Sequence, residues 1–315
     1  MRNNKIDFNK NFKKVLIVYA VIFLAGIVFM FIPGFGVKLD INFSGGTKIA
    51  YSYTGDVKDA DIEAAVKEVI KKSFTVSKST SLTGDTKTFE ISLVGKDSVS
   101  AEDQEKLTTT LEDKFKDNKI ELYNSNSVSP TVAGSFFAKS LVAVLITAVL
   151  VIIYVGIRFK RIGGISAAIT ALCALVFDVF ITFFTCVFFR LQLDSNYIAV
   201  VLTILGYSLN DTIVIYDRVR ENARLMPEAE IGEVVNTSIN TSLRRNIITS
   251  LTTFVAVMTI VTVSELFGLS TLRTFAIPMA FGIVSGAISS LCIAGPLWVI
   301  WRRHKACLLY TSPSP

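Results

Sequence analysis

Long apolar stretches separated by short polar ones dominate the chain. A helix needs about 18 consecutive apolar residues to cross the hydrocarbon core of a bilayer, and several stretches reach that length. The pattern predicts six membrane-spanning helices, at 15–33, 134–157, 164–189, 197–216, 245–266 and 275–301. The first is too long for the apolar core of a signal peptide and lacks a small-residue cleavage site. We therefore predict that it is a retained span.

The stretch between the first two spans, residues 34–133, differs because it is polar and alternates strand-like with helix-like periodicity. Asp59 and Ser100 are candidate N-caps of two amphipathic helices. Gly84-Asp85 suits a hairpin turn between two strand-like runs. The predicted order is βαββαβ, the split-βαβ plan of ferredoxin-like α+β domains. No catalytic constellation occurs in it, so we predict a binding or mechanical domain.

Composition narrows the class of protein further. Hydrophobic residues make up 51% of the 315 residues and the mean hydropathy is +0.53, which excludes an ordinary soluble protein. None of the four cysteines lies in the polar domain, and the single histidine, His304, follows the last span. A disulfide framework, a histidine-based metal site and a catalytic triad are therefore not expected. We predict no cofactor and no metal.

Among the short segments that flank the predicted spans, lysines and arginines are concentrated on one side, and only one arginine lies in each short segment on the other side. The positive-inside rule makes the basic side cytoplasmic. The net charge of +6 is therefore a signal of topology, and we expect no nucleic-acid partner. The predicted cytoplasmic segments are 1–14, 158–163, 217–244 and 302–315, and the outer segments are 34–133, 190–196 and 267–274. Residues 306–315 are neither charged nor periodic, and we interpret them as a possible sequence artefact.

Two acids lie inside predicted spans, Asp178 and Asp211. An ionisable residue there costs about 2.5–3.5 kcal/mol on insertion scales and is a functional candidate by default. Asp211 is too short to reach the interface as lysine does, and Tyr207 and Ser208 precede it on the same helix face. For Asp211 a structural hydrogen bond is the alternative to a functional role. For Asp178 a structural hydrogen bond is as good an interpretation as a proton role.

A second polar row predicts a partner for Asp211. Arg245 and Thr249, followed by Thr252 and Thr259, fall near one face of the fifth span. Arg245 would hold the carboxylate ionised until a proton arrives. The alternative is that Arg244 and Arg245 are only topology signals at the membrane surface.

Four motifs resemble those of the SecD/SecF family of protein-export membrane proteins. They are "LDINFSGGT" (39–47), "YVGIRFKRIGG" (154–164), "GYSLNDTIVIYDRVREN" (206–222) and "NTSINTSLRRNIITSLTT" (236–253). One span, one large domain and then five spans is the plan of the SecF members. The chain departs from the family in having Phe177 where a histidine is common, Arg244 and Asn246 around the span-5 arginine, and Ser129 in place of a glycine.

The resemblance implies an accessory subunit of the Sec preprotein translocase in the bacterial cytoplasmic membrane. Its partners would be SecD, the SecYEG channel, the ATPase SecA, a YajC-type subunit and preprotein substrates. With SecD it would form a twelve-span assembly related to RND transporters, and it would use the proton-motive force without being an enzyme. The resemblance implicates Asp211 and Arg245 in the proton pathway, and their own positions in the spans add Asp178, Asn210 and Thr249 as candidates. The signature residues are Asp40, Phe43, Gly45, Gly46 and Thr47. We predict that the glycine pair forms a hinge between the first span and the polar domain.

Three alternatives remain open at this point. The chain could be half of an RND-type exporter of small molecules or lipids, or a structural scaffold without ion coupling. An intramembrane hydrolase using Asp178 and Asp211 as a dyad is disfavoured, because Arg245 would oppose the shared proton. The sequence does not choose between proton and sodium coupling.

Overall fold

A bundle of long helices carries one α/β unit in the computed structural model, which describes residues 6–32, 35–70, 74–80, 87–95 and 99–311. Within these residues, six helices are long and apolar enough to cross a membrane. They are α1 (Phe8–Phe31), α5 (Pro130–Arg158), α6 (Gly164–Phe188), α7 (Ser195–Leu225), α8 (Ile231–Leu266), and a last helix built from α9 (Ser270–Ser289), a π-helical turn (Ser290–Ala294) and α10 (Gly295–Thr311). The predicted turn at Gly84-Asp85 and the end of the tail, 312–315, lie outside the described residues.

Side-chain caps explain where several of these helices begin. Asp7 accepts a hydrogen bond from a backbone N–H of the first turn of α1, and Asp194 does the same for α7. Ser129 caps α5, and Pro130 follows at its first position, where a missing N–H costs nothing. The serine that departs from the family pattern is therefore a helix cap here.

Helices α7 and α8 continue well past the ends of the predicted spans. Most of the segment 217–244, expected as a loop, is helical, and only residues 226–230 connect the two helices. Val219 on α7 and Val235 on α8 are buried there. The polar segment is thus amphipathic, and burial of its apolar face extends both helices.

The α/β unit lies between α1 and α5. Its elements are β2 (Gly46–Tyr53), α3 (Asp59–Val69), β3 (Phe74–Thr80), β4 (Lys87–Val94), α4 (Ala101–Lys114) and β5 (Glu121–Val128). The strand order is β3-β4-β2-β5, with every neighbouring pair antiparallel. Alternate residues of β2, including Ile49 and Tyr51, are buried in a core shared with residues of the two helices such as Val66 and Leu111.

The two predicted caps of this unit have different outcomes. Ser100 accepts a hydrogen bond from Asp103 N at 3.1 Å, as its position before a helical run predicts. Asp59 is not the cap: Lys58 occupies that position and Asp59 is the first helical residue. Its carboxylate instead pairs with Lys78 of β3. This ion pair across the unit is invisible in the local pattern.

A second, two-stranded sheet joins the α/β unit to the bundle. Strand β1 (Lys38–Leu39) pairs in parallel with β6 (Gln192–Leu193), which connects α6 to α7. The start of α7 therefore lies at the end of the bundle that carries the α/β unit, here named the near end. The α7–α8 connection lies at the opposite end, named the far end.

Candidate functional site

Asp178 lies in the middle of α6 and is completely buried. Its Oδ1 accepts a hydrogen bond from Ser285 Oγ at 2.6 Å. Its Oδ2 accepts bonds from Ser208 Oγ at 2.7 Å and Ser289 Oγ at 2.9 Å. No lysine or arginine among the described residues forms an ion pair with it. Three hydroxyl donors from α7 and α9 thus satisfy a carboxylate inside an apolar bundle, as a buried charge requires.

Helix α1 joins this cluster through Tyr19. The Tyr19 hydroxyl lies 3.1 Å from both the backbone oxygen and Oγ of Ser285. The Tyr19 ring also contacts Phe177 edge-on, with ring centroids 5.4 Å apart. Phe177, which replaces the family's histidine, therefore packs against α1 and makes no polar contact. The chain of polar contacts from Tyr19 to Ser208 connects four helices.

Two glycines of α9 allow the helices to approach closely enough for these bonds. A Cβ on Gly282 would lie 2.7 Å from Thr182 Cγ2, and one on Gly286 would lie 3.0 Å from Ser208 Cβ. The small-residue spacing in the sixth span thus serves helix packing, as such spacing does in membranes. The π-helical turn begins at Ser290, directly after Ser289, and such turns are frequent at functional sites.

Asp211 lies on α7 about one turn beyond Ser208 toward the far end and is 2% exposed. Its one described hydrogen bond comes from Ser250 Oγ of α8, at 3.3 Å. Arg245 is near enough to attract the carboxylate electrostatically, yet it is exposed and forms no ion pair with it. Asp211 is thus buried with less hydrogen bonding than Asp178.

The far end holds a polar cavity of about 660 Å³ between α7 and α8. Arg245 and Ser242 of α8 line it together with charged residues of α7, among them Asp217 and Arg224. Arg220 and Arg158 pair with Asp217 at 3.0 and 3.2 Å. The cavity therefore offers a polar, charged surface that Arg245 itself helps to line.

The structure does not place all the polar residues predicted on α7 and α8 against Asp211. Ser208 binds Asp178, although it is only three residues from Asp211. Thr249 donates to the backbone oxygen of Arg245 at 2.9 Å, and Asn210 is exposed. Three more hydroxyls bond to their own helix backbones; they belong to Thr252, Thr259 and Thr203, which lies one turn before Tyr207 on α7. The Tyr207 hydroxyl is buried and has no hydrogen-bond partner among the described residues.

Two residues near Asp211 were missed by the sequence analysis, Ser250 and Asn246. Ser250 supplies the hydrogen bond, and Asn246 is buried one turn away on the same face of α8. Ser242, Asn246 and Ser250 follow each other at four-residue intervals, a signal that the sequence contained. The predicted partners of Asp211 were threonines and an arginine, which lie on another face of α8.

The signature segment "LDINFSGGT" forms a tight junction between the α/β unit and the bundle. Asp40 is 1% exposed and lies 2.9 Å from Lys48 Nζ, which in turn lies 3.0 Å from Glu90. Burial disfavours the charged ammonium, but the bonds to both carboxylates outweigh it and raise the pKa of Lys48 above its usual value. Asp40 also caps α2 (Ile41–Ser44), and its N–H donates to Leu193 O at 3.0 Å.

The remaining signature residues pack this junction. Phe43 contacts the rings of Phe136 and Phe137 on α5, with centroids 5.7 and 5.8 Å away. Thr47 is buried and accepts a hydrogen bond from Val99 N at 3.3 Å. The α/β unit is therefore fixed to the start of α5 as well as to β6.

Close approach explains the glycine pair. Gly45 has φ +79° and Gly46 has φ +136°. A Cβ on Gly46 would lie 2.0 Å from Leu93 O, and one on Gly45 would lie 2.9 Å from Pro130 N. The pair connects α2 to β2, whereas the sequence analysis placed it directly between the first span and the domain. The hinge remains a prediction.

The fold and these sites define a class: a multi-pass helical membrane protein with buried carboxylates and an α/β unit between its first two spans. A family model described as "Protein export membrane protein SecD/SecF, C-terminal" matches residues 107–304. A protein translocase subunit SecF of Rickettsia bellii is 32% identical over 308 residues, which is 96% of both chains. The chain belongs to the SecD/SecF family, in its SecF branch, which confirms the resemblance of the motifs.

Other relatives match only part of their own length. A protein translocase subunit SecF of Alicyclobacillus acidocaldarius is 40% identical over 182 residues, 57% of this chain and 56% of that one. A crystal structure of SecDF from Thermus thermophilus, described as a translocon-associated membrane protein, has a TM-score of 0.75 and 27% identity and covers 96% of this chain and 39% of that one. The chain thus spans about half the length of the SecF of A. acidocaldarius and a smaller share of the length of SecDF.

Proposed function

We propose that this protein is an accessory subunit of the Sec preprotein translocase, which works with SecD and uses the proton-motive force to complete translocation after the SecA-driven steps. The relatives named as translocase subunits support the transport role. The observation that carries the coupling is Asp211: a buried carboxylate with one described hydrogen bond, close to Arg245 beside a polar cavity. Protonation of Asp211 would release its attraction to Arg245 and let α7 and α8 shift, a local charge change acting on a two-state element.

The proposed topology places the far end in the bacterial cytoplasm, with both termini. Basic residues concentrated there support this orientation. The α/β unit would then lie outside as a preprotein-handling domain. Its strand order and antiparallel pairing are those expected of a ferredoxin-like domain, which supports that assignment. SecYEG, SecA, a YajC-type subunit and preproteins are the further partners we propose.

A polar face on the bundle supports SecD as the direct partner. Thr203 and Asn210 of α7 and Thr252 and Thr259 of α8 are exposed on the bundle surface. Lipid offers the exposed Asn210 amide no hydrogen-bond partner, and small hydroxyl side chains let helices approach closely, so such a face is better covered by protein. We propose that SecD packs on this face, beside Asp211.

The test is gradient-driven completion of export in vesicles that contain the full chain, SecD, SecYEG and SecA, after ATP is removed. Asp211→Asn has nearly the size of the protonated side chain and should assemble with SecD but lose the gradient-dependent part. Glu265→Gln is the matched control, since its carboxylate pairs with Arg273 at 2.9 Å at the near end of α8, away from Asp211 and the polar cavity. Proton-only and sodium-only gradients identify the ion.

The outcomes separate the proposal from its rivals. Full gradient-dependent export by Asp211→Asn would favour the scaffold without ion coupling. Gradient-driven movement of a small molecule or lipid without preprotein would favour the exporter.

A further inference from the structure

Asn246 of α8 is a buried amide without a hydrogen-bond partner. It is 1% exposed, and neither Oδ1 nor Nδ2 has a partner among the described residues. An unpaired buried polar group of this kind is costly, and within a membrane lipid cannot supply the missing bonds. A native structure that retains such a group calls for an explanation.

The position of Asn246 on α8 supplies one. Ser242, Asn246 and Ser250 follow each other at four-residue intervals, and all three are buried. Four residues of helix rise about 6 Å, which is the length of two hydrogen bonds in series. One water molecule between each pair of successive side chains would span that distance, and such bridges are nearly as favourable as direct bonds.

Both ends of this row reach groups already described. Ser250 donates to Asp211 at 3.3 Å, and Ser242 lines the polar cavity at the far end. Asn222 of α7 donates to Ser238 of α8 at 2.9 Å, so the two helices run antiparallel with Asn246 between two fixed contacts. Asn246 therefore lies between the cavity and Asp211.

We propose that Asn246 is a positioning residue that holds water between the far-end cavity and Asp211, and that protons exchange with Asp211 along this row. The proposal rests on the proposed function of Asp211 and adds the route by which protons pass between Asp211 and the far end. An amide does not itself relay a proton. It both donates and accepts hydrogen bonds, so it can order a water molecule on either side.

The experiment measures protonation of Asp211 directly. The full chain with SecD is reconstituted in oriented vesicles, and the Asp211 carboxyl band is followed by infrared spectroscopy after a pH jump on the far-end side. The band is assigned by its loss in Asp211→Asn. We expect Asn246→Leu, similar in size but without polar atoms, to slow protonation about tenfold or more, equivalent to about 1.4 kcal/mol of barrier. Asn246→Thr keeps a hydroxyl and should retain a rate close to wild type.

Two further measurements separate positioning from structure. Ser264→Ala is the matched control, because Ser264 is buried on the same helix and bonds only to Val261 O. It should leave the rate unchanged. The thermal unfolding temperature of Asn246→Leu should stay close to that of wild type, since no described protein group loses a hydrogen bond when the amide is removed. Asn246→Met provides the same comparison if the leucine variant does not assemble.

A wild-type protonation rate in a folded Asn246→Leu or Asn246→Met variant would overturn the route while leaving the role of Asp211 intact. A wild-type Asp211 band that does not respond to pH would overturn the proposed function, and the route with it.

Discussion

Ser208 of α7 donates a 2.7 Å hydrogen bond to the Asp178 carboxylate of α6, although it lies three residues from the other buried acid, Asp211. The two acids, Asp178 on α6 and Asp211 on α7, therefore have different environments. Asp178 has three hydroxyl donors from two helices, while Asp211 has one described donor and a nearby exposed arginine. The contrast favours a structural role for Asp178 and leaves Asp211 as the better candidate for reversible protonation.

Removal of the Asp178 acceptor should destabilise the bundle. Asp178→Leu leaves Ser208, Ser285 and Ser289 without their shared acceptor, at an expected cost on the order of 1–3 kcal/mol. Asp178→Asn keeps one acceptor oxygen and should lose less. Thermal unfolding of the complex with SecD provides the measurement. If Asp178→Asn were as stable as wild type yet lost gradient-dependent export, Asp178 would belong to the proton pathway.

The polar face of α8 should be protected by SecD. Thr252→Cys and Thr259→Cys should react with a lipid-soluble maleimide in the chain alone and several-fold more slowly in the complex. Ile153→Cys on α5, where the apolar side chain is 51% exposed, is the control and should react equally in both. Equal labelling of all three positions with and without SecD would place the partner elsewhere.

Gly46→Ala should destabilise the junction between the α/β unit and the bundle. The new Cβ would meet the Leu93 carbonyl at a backbone φ that only glycine adopts easily, so the expected loss exceeds about 1 kcal/mol. Gly134→Ala on α5 is the control, because nothing lies within 4 Å of its added Cβ. Hydrogen exchange of β2 and β4 provides the measurement. Unchanged protection in Gly46→Ala would show that the junction can yield, as a hinge would.

Loss of the buried ion pair should change the alkaline stability of the α/β unit. The pKa of Lys48 is raised in the folded protein, so its charge stabilises the fold fully below the unfolded-state pKa of about 10.4. That contribution is lost as the pH rises through the higher folded-state pKa. Asp40→Asn should therefore lower stability at neutral pH by about 1–3 kcal/mol and flatten the alkaline dependence.

Unfolding of the α/β unit followed from pH 7 to 11 tests this prediction. Asp56→Asn is the matched control, since the Asp56 carboxylate is almost fully exposed and its ion pair with Lys87 is long, at 3.9 Å. A profile of Asp40→Asn that matched wild type at both ends of the range would contradict it.

The sequence by itself determined the six apolar helices, the order of elements in the α/β unit, the cap at Ser100 and the presence of acids inside two spans. These features depend on local periodicity and on the cost of placing a carboxylate in a membrane, both of which a single segment displays. The motifs also carried enough information to identify the family.

Only the tertiary structure decided which side chains meet. Ser208 is only three residues from Asp211 in the sequence. The rotation of α7 about its axis and its close packing against the glycines of α9 nevertheless place Ser208 next to Asp178. Asp211 receives Ser250 instead of the threonine row, and the glycine pair meets strand β4 and the start of α5. Periodicity tells which face of a helix is buried but not which neighbour covers that face, because hydrogen bonds between helices depend on their relative rotation and distance of approach.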